Sequence, residues 1–169
     1  NEVLDMGKLE SGEIVLESCP FNVIELKDGI LQTMERAAAE RGIMMTDRTE
    51  VKHTALIGSP LHLKRLLMNI WSNAIKYNKD GGSVTVQVTG EAERVTLAVK
   101  DTGIGIPKGQ QDRVFERFYR VDKSHSKASG GTGLGLSIVK HAVQYHHGRI
   151  ELESTPGTGT TIRVVFPNP

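Results

Sequence analysis

The sequence predicts an α+β fold: a two-layer α/β sandwich with three main helices on one face of a mixed, mostly antiparallel sheet. Two observations carry this prediction. Apolar residues recur at helical spacing over 22–41, 59–77 and 134–145, and alternate at strand spacing elsewhere. The runs at 84–88 and 95–99, and again at 149–154 and 160–166, follow each other across short turns with no helix between them, which is the pattern of hairpins. A doubly wound fold would separate its strands by helices.

Taken in order, residues 1–9 read as a helix, with Val3, Leu4, Met6 and Leu9 as its apolar positions and Ser11 and Gly12 as its stop. The alternation of Ile14 and Leu16 predicts a short strand over 13–18, after which Pro20 is expected to break the chain. Asn22 caps the next helix, and Glu25 three residues on completes a capping-box pattern. Val23, Leu26, Ile30, Met34, Ala37 and Ala38 form its stripe, and Gly42 ends it. Residues 43–46 and 53–57 read as two strands around a polar turn. Ser59 as cap and Pro60 at the first helical position open a helix that runs to about residue 77, with Leu63, Leu66, Leu67, Ile70, Ala74 and Ile75 on its apolar face. Gly81 and Gly82 start a hairpin with its turn at 90–93, and Asp101 follows its second strand directly. Residues 113–120 are rich in Phe and Arg. Residues 122–131 are polar, Ser-rich and aperiodic, which predicts a mobile lid. The third helix, carrying Leu136, Ile138, Val139, Ala142 and Val143, ends at His147 and Gly148, and a last hairpin turns at 156–159.

Composition narrows the function. The 169 residues suit one domain, and a net charge of +1 predicts no broad attraction to nucleic acid or membrane. Cys19 is the single cysteine, so no intrachain disulfide and no cysteine metal cage is possible. No apolar run approaches the roughly 20 residues of a membrane helix. There is no GxxxxGK[ST] loop, and Gly131 and Gly133 are followed by Leu136 where a dinucleotide fingerprint needs glycine. Ser137 is in no GxSxG elbow. The adjacent His146 and His147 would point apart on a helix, which disfavours a shared metal.

What remains is a nucleotide site. Asp101 opens the run DTGIGIP over 101–107, and GGTGLGLS over 130–137 leads into the third helix. A carboxylate can accept hydrogen bonds from a base. Glycine allows close backbone approach, and a helix N-terminus offers unpaired N–H groups to phosphate. Asn69 and Asn73, four apart in a helix interior, stack on one side of it, and Lys76 and Tyr77 extend that side. Two asparagines there need a reason, because Asn competes for backbone hydrogen bonds.

These stretches resemble four ordered motifs of sensor histidine kinases. Residues 69–77 (NIWSNAIKY) resemble the N box, 101–105 (DTGIG) the G1 box, 115–120 (FERFYR) the F box and 131–136 (GTGLGL) the G2 box. The resemblance runs from about residue 19 to residue 166. It implies the Bergerat (GHKL) ATP-binding fold, shared with gyrase, mismatch-repair ATPases and a class of chaperones, and it implies ATP and Mg²⁺ as cofactors. By the same resemblance Asp101 would accept from the adenine amino group, with Gly103 and Gly105 letting the backbone pass close to the base. Asn73 would give its side-chain oxygen to Mg²⁺, supported by Asn69, and Lys76 would neutralise phosphate; these three form the implied catalytic group. Tyr77, Ile106 and Thr161 would line the nucleotide pocket, and Arg120 would reach phosphate. Gly131, Thr132, Gly133, Leu134, Gly135 and Leu136 would hold the β and γ phosphates. Phe115 and Phe118 would anchor the lid. Lys123 and Lys127 are as readily solvated as phosphate-bound.

ATP-hydrolysing relatives carry Glu where this chain has Asn69. An amide takes no proton at neutral pH, so the site is suited to transfer onto a protein side chain, a reaction that is mostly positioning and charge stabilisation. The implied function is transfer of the γ-phosphoryl to a histidine of a dimerisation domain, and from there to a response regulator receiver. That histidine is typically followed by Glu or Asp. His53, His62, His125, His141, His146 and His147 are followed by Thr, Leu, Ser, Ala, His and Gly. The acceptor is therefore expected on another domain, with residues 1–12 as the end of its second helix and the linker, and 13–169 as the catalytic domain. The parent is expected to be a homodimer anchored in a bacterial membrane, and this piece a cytoplasmic monomer. A non-catalytic ATP-binding module and a serine or threonine kinase of the same fold are the alternatives. The departures are Asn78 in place of Ser or Thr, Trp71 within the N box and Ser59 in place of Asp; small effects are expected of Asn78 and Trp71.

Overall fold

The computed structural model describes residues 18–51, 54–116 and 135–167. The helix expected over 1–9, nearly all of the strand expected over 13–18, and the lid expected over 122–131 lie outside these residues. Seven strands are β1 (Cys19–Asn22), β2 (Met44–Asp47), β3 (Ala55–Gly58), β4 (Ser83–Gly90), β5 (Arg94–Asp101), β6 (Arg149–Thr155) and β7 (Gly159–Pro167). The helices are α1 (Val23–Glu40), α2 (Pro60–Lys76) and α3 (Gly135–Tyr145), with one 3₁₀ turn at Lys108–Gln110.

Five strands form a sheet in the order β2-β4-β5-β7-β6, antiparallel except for the parallel pair β2–β4. The expected two-layer architecture is borne out. β1 and β3 stand apart as a two-stranded antiparallel ribbon. The strands expected around a polar turn therefore belong to different sheets. Pro20 does not break the chain: it lies inside β1, opposite Ile57. In a two-stranded ribbon each strand has a free edge, where the missing N–H of proline costs no ladder bond.

Local chemistry sets the helix ends. The Asn22 side chain accepts from the Ile24 amide at 3.0 Å and the Thr54 amide at 3.2 Å, so one cap joins the start of α1 to the segment before β3. Ser59 caps α2 through the His62 amide at 3.2 Å. At the end of α3 the left-handed residue is His147 (φ 59°) and not glycine. Gly148 has another reason to be glycine: a Cβ there would lie 2.6 Å from the Val165 carbonyl oxygen.

α2 is the centre of the molecule. It packs against α1, α3 and the inner faces of β4 and β5. Leu63, Leu66, Leu67, Ile70 and Trp71 are buried against a floor that includes Val84, Val86, Val95, Leu97 and Val99. The Trp71 indole is fully buried, and its N–H donates to the Met45 sulfur at 3.0 Å. Buried Lys27 on α1 pairs with Asp47 at the end of β2. Truncating an indole in such a core costs about 3–5 kcal/mol, so Trp71→Ala is expected to abolish most of the stability of the domain, read as the urea midpoint.

The N-terminus of α2 meets the C-terminus of α3 in a histidine cluster. His62 Nε2 lies 3.2 Å from His141 Nδ1, and the His62 and His146 ring centroids are 6.3 Å apart. His146 Nδ1 is 2.7 Å from the Ala142 carbonyl, which therefore takes its proton, and Nε2 accepts from the Ser59 amide at 3.0 Å. Burial, then the neighbouring His141, His146 and Arg65, lowers the His62 pKa to about 4; His146 is lowered as well, chiefly by burial. Both rings are thus neutral in the fold and protonate more readily once unfolded. Their stabilisation is complete above the ordinary histidine pKa near 6.5 and is lost as pH falls from there toward 4. The urea midpoint is expected to drop over that interval, by on the order of 3 kcal/mol of stability for a shift of this size, and His62→Gln should flatten the drop.

Candidate functional site

Asp101 is the last residue of β5, in register with Val84 at the start of β4. Its Oδ1 accepts from the Gly103 amide at 2.8 Å and the Thr160 amide at 3.1 Å. Oδ2 has no hydrogen-bond partner among the described residues, which leaves one carboxylate oxygen for a ligand donor. Burial raises the Asp101 pKa, and the two N–H contacts oppose that rise.

The loop after Asp101 is clamped on two sides. On one side the Ile104 amide donates to the Tyr77 carbonyl at the end of α2, at 3.1 Å. Gly103 backs onto the same place: a Cβ would sit 2.4 Å from the Tyr77 oxygen. On the other side the Gly157 amide donates to the Ile104 carbonyl at 2.8 Å, and the Ile106 amide to Ser154 Oγ at 2.8 Å. The Gln111 side-chain amide closes the loop onto the Ile106 and Ser154 carbonyls at 2.9 and 3.1 Å. Gly105 holds φ 73°, and its Cβ would lie 2.3 Å from the Thr155 carbonyl oxygen. Both glycines, expected to admit a base, are required by close approach of the chain to itself.

Asn69 and Asn73 lie half-buried one turn apart on α2, and neither side-chain amide has a hydrogen-bond partner among the described residues. Two uncommitted amide oxygens on one helix face, with Lys76 in the last turn, fit a hard cation that bridges phosphates. Lys76 Nζ lies 5.8 Å from the centroid of the Tyr77 ring. His62 against His141 and His146 shows that α2 and α3 run antiparallel.

Of the other residues expected at the site, Arg120, Gly131, Thr132, Gly133 and Leu134 lie outside the described residues, as do Phe118, Lys123 and Lys127. Leu136 is half-buried and packs against the core, a contact of helix with core. Ile106 is half-buried within the clamped loop. Thr161 lies on β7. It pairs with Lys100 and Glu153, and strand alternation puts it on the face opposite buried Ile162 and Val99. The neighbour that reaches Asp101 is Thr160, which counting back by two from Ile162 would have found. Asn78, expected to matter little, is buried. Its Nδ2 donates to the Ser83 carbonyl at 2.9 Å, and its Oδ1 accepts from the Lys79 amide at 2.9 Å and the Thr102 hydroxyl at 3.2 Å. Its signal was the replacement of a small hydroxyl by an amide with three hydrogen-bonding positions to fill.

A half-buried carboxylate with one open oxygen at a strand end, and an asparagine-bearing helix tied by backbone contact to the loop that follows it, have the features of a nucleotide-binding class of domain. Residues 58–169 match the family described as histidine kinase-, DNA gyrase B- and HSP90-like ATPase, and the chain belongs to that family. Over 169 residues it is 36% identical to the circadian input-output histidine kinase CikA of Synechococcus elongatus, covering 99% of this chain and 22% of that protein. It is 37% identical to the sensor-like histidine kinase SenX3 of Mycolicibacterium smegmatis, covering 98% of this chain and 43% of that one. The chain thus spans less than half the length of either relative. Among solved structures, a mycobacterial sensor histidine kinase, MprB, matches with TM-score 0.75 and 30% identity over 88% of this chain and 97% of that one. Full-length ShkA, solved in complex with AMPPNP, matches with TM-score 0.84 and 26% identity over 100% of this chain and 35% of that one. The resemblance to sensor histidine kinases is borne out, and the fold is that of their catalytic domains.

Gly105→Ala should cost on the order of 2 kcal/mol, since it combines a strained φ with a backbone clash. Urea unfolding measures this, and an unchanged midpoint would show that the loop is not clamped against Thr155.

Proposed function

We propose that this chain binds Mg·ATP and delivers the γ-phosphoryl to a histidine carried by a separate helical dimerisation domain. The parent protein is then a two-component sensor kinase that passes the phosphoryl to a receiver aspartate. The observation that supports this best is Asp101: a half-buried carboxylate with one oxygen committed to Gly103 and Thr160 and the other open. A donor such as the adenine amino group complements it.

The remaining roles are those the family resemblance implies. The clamped loop over 102–106 holds the base edge, and Tyr77 lies beside it through the Ile104 amide. Asn73 holds the divalent ion through its amide oxygen, with Asn69 one turn earlier in support. The ion supplies charge that stabilises the transferring phosphoryl. Lys76 adds a second positive charge. The start of α3, with the loop that leads into it and Arg120, takes the outer phosphates. Asn69 removes the general base that water would need, so the phosphoryl is held for a nucleophile brought by a partner.

Among the described residues, no helix is long and apolar enough to cross a membrane. In this reading the domain lies in the cytoplasm, the anchor belongs to the parent, the parent is a homodimer, and this chain alone is a monomer.

Supplying a histidine-bearing acceptor domain as a separate polypeptide with γ-labelled ATP tests the proposal. Acid-labile, base-stable label on the acceptor is expected; ATP uptake with no transfer would instead support a regulatory ATP-binding module. Asp101→Asn should weaken ATP binding by about tenfold or more, as loss of a charge-assisted hydrogen bond does. Asn73→Ala should remove the Mg²⁺ dependence of that binding. Calorimetry with and without the metal reads both, and retained dependence would move the ion elsewhere.

A further inference from the structure

The end of α2 is held by a side chain that belongs to none of the four motifs. Arg41 follows the last residue of α1, where its own amide donates to the Ala38 and Ala39 carbonyls. Its guanidinium reaches across to the α2 terminus. Nη1 donates to the Ile75 carbonyl at 3.0 Å and the Lys76 carbonyl at 2.8 Å, and Nη2 donates to the Asn78 carbonyl at 3.0 Å. Asp80 lies 3.7 Å from Nη2, an exposed ion pair of little consequence.

The last carbonyls of a helix have no partner within it and form the negative end of its dipole. The Arg41 guanidinium reaches two last-turn carbonyls and the Asn78 carbonyl just past the helix at once, because its donors are fixed in a planar fork, a geometry an ammonium does not reproduce. The peptides it grips are those that carry the site. Lys76 is one of them. Tyr77, between two gripped carbonyls, presents the oxygen that receives the Ile104 amide at 3.1 Å. Asn78, gripped by its carbonyl, turns its side chain to Ser83 and to the Thr102 hydroxyl, one residue from Asp101. Thr102 Oγ1 in turn accepts from the Ser83 amide at 2.8 Å.

We infer that Arg41 is a positioning residue for the nucleotide site, fixing the 75–78 turn and through it both Lys76 and the loop that follows Asp101. The inference rests on the reading of that site as an ATP site. Arg41 acts through others, since among the described residues its side-chain contacts are main-chain carbonyls and Asp80.

The test uses the 169-residue chain with Arg41→Met, Arg41→Lys and, as a control on the exposed Glu91 pair, Arg94→Met. Arg41→Met is expected to weaken ATP binding about tenfold in calorimetry, Arg41→Lys to weaken it by less, and Arg94→Met to leave it unchanged. Amide exchange separates positioning from general destabilisation. The Ile104 amide should exchange about tenfold faster in both Arg41 variants while Leu97 and Val164 in mid-sheet keep their rates. Unchanged Ile104 exchange, or equal acceleration at all three amides, overturns the inference. So does ATP affinity that is lost in Asp101→Asn yet kept in Arg41→Met. If Arg41→Met fails to fold, Arg41→Lys carries the same comparison. If the unmodified chain takes up no ATP, the reading of the site fails, and the exchange at Ile104 still decides what Arg41 holds.

Discussion

The hydrogen bond from the Ile104 amide to the Tyr77 carbonyl is the constraint on which the site depends. It joins two stretches that come from different layers of the fold. Tyr77 ends a helix whose position is set by packing on α1, α3 and the sheet, and Ile104 follows a strand whose position is set by β4 and β7. With the Asn78 to Thr102 contact beside it, that bond couples the asparagine face of α2 to the carboxylate of Asp101. With it, and with no room for a Cβ at Gly103, the spacing between them is fixed by backbone contact. Backbone contacts of this kind lose little to side-chain rotamer freedom, which is the condition for a preorganised binding site.

The helix that presents the asparagines is rigid because of what lies beneath it. Trp71, Ile70 and Ala74 are buried beside Asn69 and Asn73, so the polar face cannot rotate without exposing the apolar one. Core and site are thus two faces of one helix, which is why Trp71 within the asparagine motif carries a structural role: its indole fills the space toward β2 and finds Met45 for its N–H.

The layers, the three helices and the place of Asp101 were legible in the sequence because each is a matter of periodicity or of a terminal signal. Asn22, Ser59 and the alternating valines of β4 and β5 are local statements, and local physics decides them. What was not legible depends on register and on partners far along the chain. Pro20 reads as a breaker until its strand is seen to have a single neighbour. The choice between Thr160 and Thr161 turns on which of two adjacent residues faces the helices, a parity set by Ile162 deep in the core. Asn78 reads as a substitution of little weight until Ser83 and Thr102 arrive from elsewhere to meet it.

α2 carries its asparagine face toward its C-terminal end, the negative end of the helix dipole, which disfavours an anion. Two cations stand at that end: Lys76 in the last turn, and Arg41 across two carbonyls of that turn and the Asn78 carbonyl just past it. Each offsets roughly 0.3–1 kcal/mol of unfavourable dipole interaction near a surface, and the guanidinium also donates directly to the Ile75 and Lys76 carbonyls. On the proposed ATP reading, a triphosphate beside this helix end would meet less repulsion because of these two cations.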